Sequence, residues 1–272
     1  MPELPEVESA RRVIEGSALG RRIAVVDDSD EWVCRPHRPG DLQRALVGRR
    51  LTAVHRRGKS LWCDTSGVGR TRKPGPPLGI HLGMSGKIVI ADPAGREIEG
   101  GDYWERGRAP GNYRYSRFGL TFAGGGSMIL IDPRRLGRVR LDPPVDLLGP
   151  DARTITPAEF RAALSGGTAP VKARLLDQSA VAGIGNLLAD QILWRAKVFP
   201  GRPVRDLDAN AVARLQRATH RSVEQALAGG GVHTLSLIEH RRPGGRCPRD
   251  GTPLVHGTFG TRTTWWCPID QV

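Results

Sequence analysis

Met1-Pro2-Glu3 opens the chain with residues that can do covalent chemistry. A small residue after Met1 favours removal of that Met, which would expose the Pro2 nitrogen as a secondary amine. An α-amino group has a pKa of about 7.7–8.0 against about 10.4 for lysine, so roughly a tenth of it is free base at neutral pH. Such an amine can attack a sugar C1′ and form an iminium, while the neighbouring Glu3 carboxyl moves protons. A second set is Gly183-Ile184-Gly185-Asn186, between two helical segments. Glycines there let a backbone approach a phosphate, and the following helix start offers N–H groups; the same residues also suit a tight interhelical turn. Lys59, in Arg57-Gly58-Lys59, falls where two strand-like runs meet in a hairpin, a place usually left to solvent.

These residues stand inside a longer pattern. Met1-Pro-Glu-Leu-Pro-Glu-Val-Glu8, Arg57-Gly-Lys-Ser60, His81-Leu-Gly-Met-Ser-Gly86, Asp132-Pro-Arg-Arg135, Leu175-Leu-Asp-Gln178 and Gly183-Ile-Gly-Asn186 precede a Cys-containing C-terminal hairpin. In that order the set resembles the formamidopyrimidine-DNA glycosylase/endonuclease VIII family, over residue 2 to about residue 271. The resemblance implies a base-excision-repair enzyme, a DNA glycosylase and abasic-site lyase acting on damaged double-stranded DNA. It makes Pro2, Glu3, Lys59 and Arg262 the catalytic set: Pro2 forms the Schiff base, Glu3 assists ring opening, and Lys59 and Arg262 bind the flanking phosphates. Met84, Arg134 and Leu136 would fill the space of a flipped base. Tyr115, Lys172 and Asn186 would meet the DNA backbone, and Glu6 would support the site. Leu136 departs from an aromatic wedge and Tyr115 from a histidine. Two rival readings are a non-catalytic binder of damaged or abasic DNA, and a glycosylase for bulky adducts.

The family hairpin carries two Cys-x-x-Cys knuckles that hold zinc. Here the second position of each is aspartate, giving Cys247, Asp250, Cys267 and Asp270 as the candidate metal ligands. Zinc accepts carboxylate oxygen, although thiolates and imidazoles dominate structural sites. His256 is a spare candidate. Zinc, a zincless hairpin held by Leu254, Phe259, Trp265 and Trp266, and a Cys247–Cys267 disulfide all stay open. The segment from Gly231 to Arg246 is shorter than the loop the 8-oxoguanine branch folds over the flipped base. That favours oxidised pyrimidines, ring-opened purines or abasic sites.

The elements that must position these residues read as an α+β chain. Residues 22–26, 51–55, 60–63, 87–90, 119–122 and 128–131 are short β-branched runs, after a helix over 6–15 with Val7, Ala10, Val13 and Ile14 on one face. They predict an N-terminal β-sandwich with a flanking helix. Segments 67–78 and 104–114 read as exposed loops. After a Pro-rich linker the pattern turns helical: a Thr156-Pro157-x-Glu159 start, helices over 169–177 and 186–196, and a longer one from Asp208 to about Ala228. With the resemblance this gives an N-terminal catalytic domain over 1–143, a linker over 144–154, a helix-two-turn-helix domain over 155–231 and a hairpin finger over 232–272, with DNA held between the domains.

Composition agrees with a DNA partner. The 272 residues carry a net charge of +13, and with five lysines, 36 of the 41 basic residues are arginine. Guanidinium forks suit phosphate oxygens, and such binding weakens with salt. No apolar run is long enough for a membrane span. Four cysteines are too few for a disulfide framework, so a reducing cytoplasm is the expectation; the resemblance implies a monomer, associated with the nucleoid through DNA binding.

Overall fold

The computed structural model describes residues 2–69, 73–103 and 108–272. Two units divide the chain: Met1–Pro2 with Glu6–Val145, and Glu3–Pro5 with Asp146–Val272.

In the first unit, helix α1 (Leu4–Ser17) buries Val7, Ala10 and Ile14, the apolar stripe expected of it. Strand β1 (Ile23–Asp27) and two short helices, α2 (Glu31–Cys34) and α3 (Asp41–Leu46), follow. Next come β2 (Leu51–Arg57), β3 (Ser60–Thr65), β4 (Gly75–His81), β5 (Lys87–Ala91), β6 (Glu97–Gly101), β7 (Ser116–Phe122), β8 (Ser127–Ile131) and β9 (Arg138–Leu141). They form a five-stranded sheet, β1-β7-β8-β5-β6, and a four-stranded sheet, β2-β3-β4-β9. Ile88, Phe118, Leu120 and Leu130 of one sheet and Val54, Leu61, Ile80 and Val139 of the other share one core with α1, so the expected sandwich is present.

Strand β4 corrects the reading of 67–78 as loop. Pro76 and Pro77 lack an N–H, yet they lie where the β3–β4 register shifts between Cys63 and Thr65. A proline costs no ladder bond at such an interruption. Residues 70–72 of that segment, and 104–107 of the second expected loop, lie outside the described residues.

In the second unit, α4 (Pro157–Ala163) begins with a full capping box. Thr156 Oγ1 accepts from Glu159 N at 3.2 Å, and Thr156 N donates to Glu159 Oε2 at 2.8 Å. Helices α5 (Val171–Leu176), α6 (Asn186–Ala196) and α7 (Ala209–Gly229) follow, α7 capped by Asp208 at 2.6 Å from Ala211 N. Leu175, Ile184, Leu188, Ile192, Leu215 and Val223 make their core, with Leu4 from the start of the chain. Strands β10 (Val255–Phe259) and β11 (Arg262–Trp266) close a hairpin through Gly260 and Thr261, both at positive φ (57° and 61°). That is the two-residue turn whose twist matches a β-ribbon. No helix among the described residues is long and apolar enough to cross a membrane.

Candidate functional site

In the first unit the sequence-predicted residues gather on neighbouring turns. Lys59 sits in the β2–β3 hairpin turn, flanked by the Arg57–Ser60 pair, and Ser60 pairs in turn with His81. His81 Nδ1 accepts from Gly83 N at 3.1 Å. Desolvation, then the charges of Lys59 and Arg138, hold its pKa below 6.5, in keeping with a neutral, accepting ring. The turn after His81 carries half-buried Met84. The β8–β9 connection carries Arg134 and Leu136, both exposed, Leu136 at 44 %.

Asp132 ties these two turns together. Buried, it accepts from Ser85 Oγ at 2.6 Å, Arg134 N at 3.2 Å and Gly137 N at 2.7 Å. Gly83 packs so closely on the Leu136–Gly137 peptide that a Cβ there would lie 2.4 Å from the Leu136 carbonyl carbon. Met84, Arg134 and Leu136 are therefore brought to one place. Tyr115 joins them through its carbonyl, which accepts from Asp132 N at 2.9 Å, with the Arg114 guanidinium 5.2 Å from its ring centre.

In the second unit Glu3 holds the start of the chain. Its carboxylate is 0 % exposed and accepts three backbone N–H groups at the head of α6: Gly185 at 2.9 Å, Leu187 at 2.8 Å and Leu188 at 3.0 Å. Leu4 N adds a bond to Gly183 O at 3.2 Å. A Cβ on Gly185 would stand 2.3 Å from the Glu3 carboxyl carbon, so the glycine is needed for this approach. These contacts bear on the N–H groups that the helix start at Gly185 was expected to offer a phosphate. Three of them are taken by the protein's own carboxylate, the anion a helix N-terminus favours.

Lys172 lies in the same unit. Expected to touch DNA, it is 0 % exposed and its ammonium contacts Asp190 Oδ1 at 2.6 Å, Thr264 Oγ1 at 2.8 Å and Thr263 O at 3.2 Å. Burial pulls its pKa below 10.5 while Asp190 opposes that shift. Asn186 Nδ2 reaches the same Thr263 carbonyl at 3.1 Å. Thr264 Oγ1 in turn donates to Arg262 O at 3.0 Å. Lys172 and Asn186 thus fasten the strand from which exposed Arg262 projects. Asp190 completes the network through Arg241 at 2.8 Å and Trp265 N at 3.1 Å. Sequence reasoning missed Asp132, Asp190 and Arg241. Asp132 lay in a motif already singled out, whereas one acid in the apolar stretch of α6 gives no sign of its partners.

The finger brings three of the four expected ligands together. Donor atoms of Cys247, Asp250 and Cys267 lie within 4.8 Å of one another. Asp270 does not join them: its Oδ1 pairs with Lys197 Nζ at 2.8 Å and its Oδ2 with Arg249. Cys267 Sγ donates to Asp250 Oδ2 at 3.5 Å. Desolvation, joined by Cys247 and Asp250 and opposed by the Ile269 amide, pushes the Cys267 thiol up to about 11. The Thr252 amide and other donors hold Asp250 down at about 2. With the fourth expected ligand ion-paired elsewhere, these residues do not make a closed four-ligand zinc site.

Residues 1–139 match the family of the formamidopyrimidine-DNA glycosylase N-terminal domain, and residues 148–236 the formamidopyrimidine-DNA glycosylase H2TH domain. Formamidopyrimidine-DNA glycosylase of Chloroflexus aggregans is 33 % identical over 297 residues, covering 100 % of this chain and 99 % of the relative. That of Acidothermus cellulolyticus is 32 % identical over 297 residues, covering 100 % and 97 %. Among solved structures, Lactococcus lactis Fpg with DNA containing an oxidised pyrimidine superimposes with a TM-score of 0.81, at 26 % identity and 99 % coverage of both chains. The same protein with abasic-site DNA gives 0.79, at 25 % identity and 99 % coverage of both.

Proposed function

The chain belongs to the formamidopyrimidine-DNA glycosylase family, and on that premise we propose that it is a base-excision-repair DNA glycosylase with abasic-site lyase activity. It acts on double-stranded DNA whose damaged nucleotide has been swung out of the stack. The Pro2 nitrogen, free once Met1 is gone, bonds to C1′ as the bond from C1′ to the base breaks. The base leaves carrying a proton, and the proline nitrogen gives up its own. The C1′–O4′ bond then opens as O4′ is protonated, so that an iminium joins the Pro2 nitrogen to C1′ of the ring-opened sugar. The iminium acidifies the neighbouring carbon, so a proton is lost there as the 3′ phosphate departs; a second elimination releases the 5′ phosphate. Lys59 and Arg262 bind the phosphates, which carry charge throughout. Met84, Arg134 and Leu136 fill the vacated space.

The observation that carries this reading is the Glu3 carboxylate on the α6 amides. It fixes the backbone one residue from Pro2, and a nucleophile gains most from being held in place. Glu3 is assigned this positioning together with proton transfer during ring opening. Lys172 and Asn186 are assigned to holding the Arg262 strand.

The preferred lesions are oxidised pyrimidines, ring-opened purines and abasic sites. What supports this is the segment after α7, where Val232, Leu235 and Leu237 are buried in the unit's own packing. Little chain is left to fold over a flipped base.

Borohydride trapping on a duplex with one abasic site, followed by peptide mapping, tests the chemistry. The expected product is a DNA adduct on Pro2, lost when a residue is added ahead of Pro2. Tight binding with no adduct, in protein shown to lack Met1, would leave a damaged-DNA binder instead.

A further inference from the structure

Each knuckle of the finger places its aspartate against the other knuckle. Asp250, of the first, accepts from the Cys267 thiol of the second. Asp270, of the second, pairs with Arg249 of the first. We propose that these reciprocal links, Asp250 with Cys267 and Asp270 with Arg249, replace zinc as the cross-link between the knuckles, so that the finger folds without metal.

The surroundings make both links structural. Arg249 lies with its guanidinium carbon 4.4 Å from the Trp194 ring centre and donates to Trp194 O at 3.0 Å, so its charge is steered by the C-terminal end of α6. Trp194 Nε1 donates to Cys247 Sγ at 3.4 Å, leaving that sulfur engaged as an acceptor. Asp250 Oδ1 accepts from Thr252 N at 2.9 Å, which sets the carboxylate's direction inside the first knuckle. Gln271 continues the second: its Oε1 accepts from Cys267 N at 3.0 Å and its Nε2 donates to Val198 O at 3.0 Å. Lys197 supplies a second cation to Asp270.

Apolar packing adds to these links. Trp194, Leu237, Leu254 and Trp265 are buried around the two cysteines. Phe199, Phe259 and Trp266 form an edge-to-face triad with ring centres 5.5, 5.6 and 5.7 Å apart. A zinc ion held by all four residues would need Asp270 to leave two cations. Aspartate at the fourth knuckle position gives Arg249 an ion-pair partner beside its bond to Trp194 O, which a zinc-bound cysteine there would not.

The test uses the full chain, expressed in zinc-supplemented medium and purified without chelator. Metal analysis is expected to find zinc far below one ion per chain, and peptide-level hydrogen exchange over 255–266 is expected to be unchanged by a strong chelator. Arg249→Met and Asp270→Asn should each speed that exchange roughly ten-fold, while exchange in 116–131 stays as it was. The Asp250→Cys, Asp270→Cys double variant, with four thiols at the family spacing, should take up zinc and become chelator-sensitive. Stoichiometric zinc in the unmodified protein, hairpin exchange that rises on chelation, or exchange unmoved in both single variants would each overturn the proposal. None of these readouts depends on excision activity, so the outcome is separate from that of the Pro2 trapping.

Discussion

Glu3 shows how one side chain can hold more than the chemistry its type suggests. A carboxylate offers only acceptors, and here both oxygens face backbone N–H groups of the α6 head. Glu3→Gln supplies one oxygen and an NH2 group in its place, so at least one amide loses its acceptor. We expect about 1–3 kcal/mol of lost stability, read by urea unfolding, together with a fall in the borohydride adduct at Pro2. Arg262 is the opposite kind of residue, exposed on β11. Arg262→Ala should leave the unfolding midpoint in place, weaken binding to abasic DNA, and reduce the slope of log K against log salt by about 1. An unchanged slope would mean that Arg262 meets no phosphate.

Between residues and folds, two devices position the site's elements. Asp132 ties the turn carrying Met84 to the connection carrying Arg134 and Leu136. Asp132→Asn keeps the shape but cannot accept all three donors, so the turns should loosen. The expected result is roughly ten-fold weaker binding to abasic DNA, and a smaller fluorescence change from 2-aminopurine placed opposite the lesion, with binding to undamaged DNA little changed. The second device is the buried pair of Lys172 and Asp190 behind β11. Lys172→Met leaves a buried acid with Arg241 as its cation and the Trp265 N–H as its other donor, and about 3 kcal/mol of stability should go. The salt slope should hold, because no phosphate contact is lost. Much of this scale was legible beforehand. Helices α6 and α7 and most strands follow from apolar periodicity and caps, and Asp208 and Thr156 cap as read. Strand β4 was not, because Gly-Pro-Pro reads as loop until a neighbouring strand supplies the interruption that tolerates it.

At the scale of the whole molecule, acid should be the weak side. Burial works to raise the Glu8 carboxyl, but hydrogen bonds and charge from Arg11 and Arg56 outweigh it and hold it below 4.5. Burial likewise opposes Tyr113, Gly111 and Arg108 at Glu97, whose pKa is also lowered. In both cases the unfolded chain binds protons first as pH falls. Stability is therefore full above the ordinary glutamate value and lost as pH drops through the lower folded values. Urea midpoints taken from about pH 6 to about pH 3 should fall steadily below about pH 4.5, and the fall should shrink in Glu8→Gln. The sequence alone determined the family, the sandwich followed by helices, the Pro2–Glu3 start and the basic charge, because these rest on local pattern and residue type. Only the tertiary structure decided which charged groups face outward. Lys172 and Arg262 carry the same charge and the resemblance sent both to the DNA, yet one is buried against Asp190 and the other is exposed. The same holds for Asp250 and Asp270, equivalent by spacing but divided by whether an arginine or a thiol stands opposite. Burial and partner choice arise from contacts between residues far apart in the chain, which spacing along the chain does not encode.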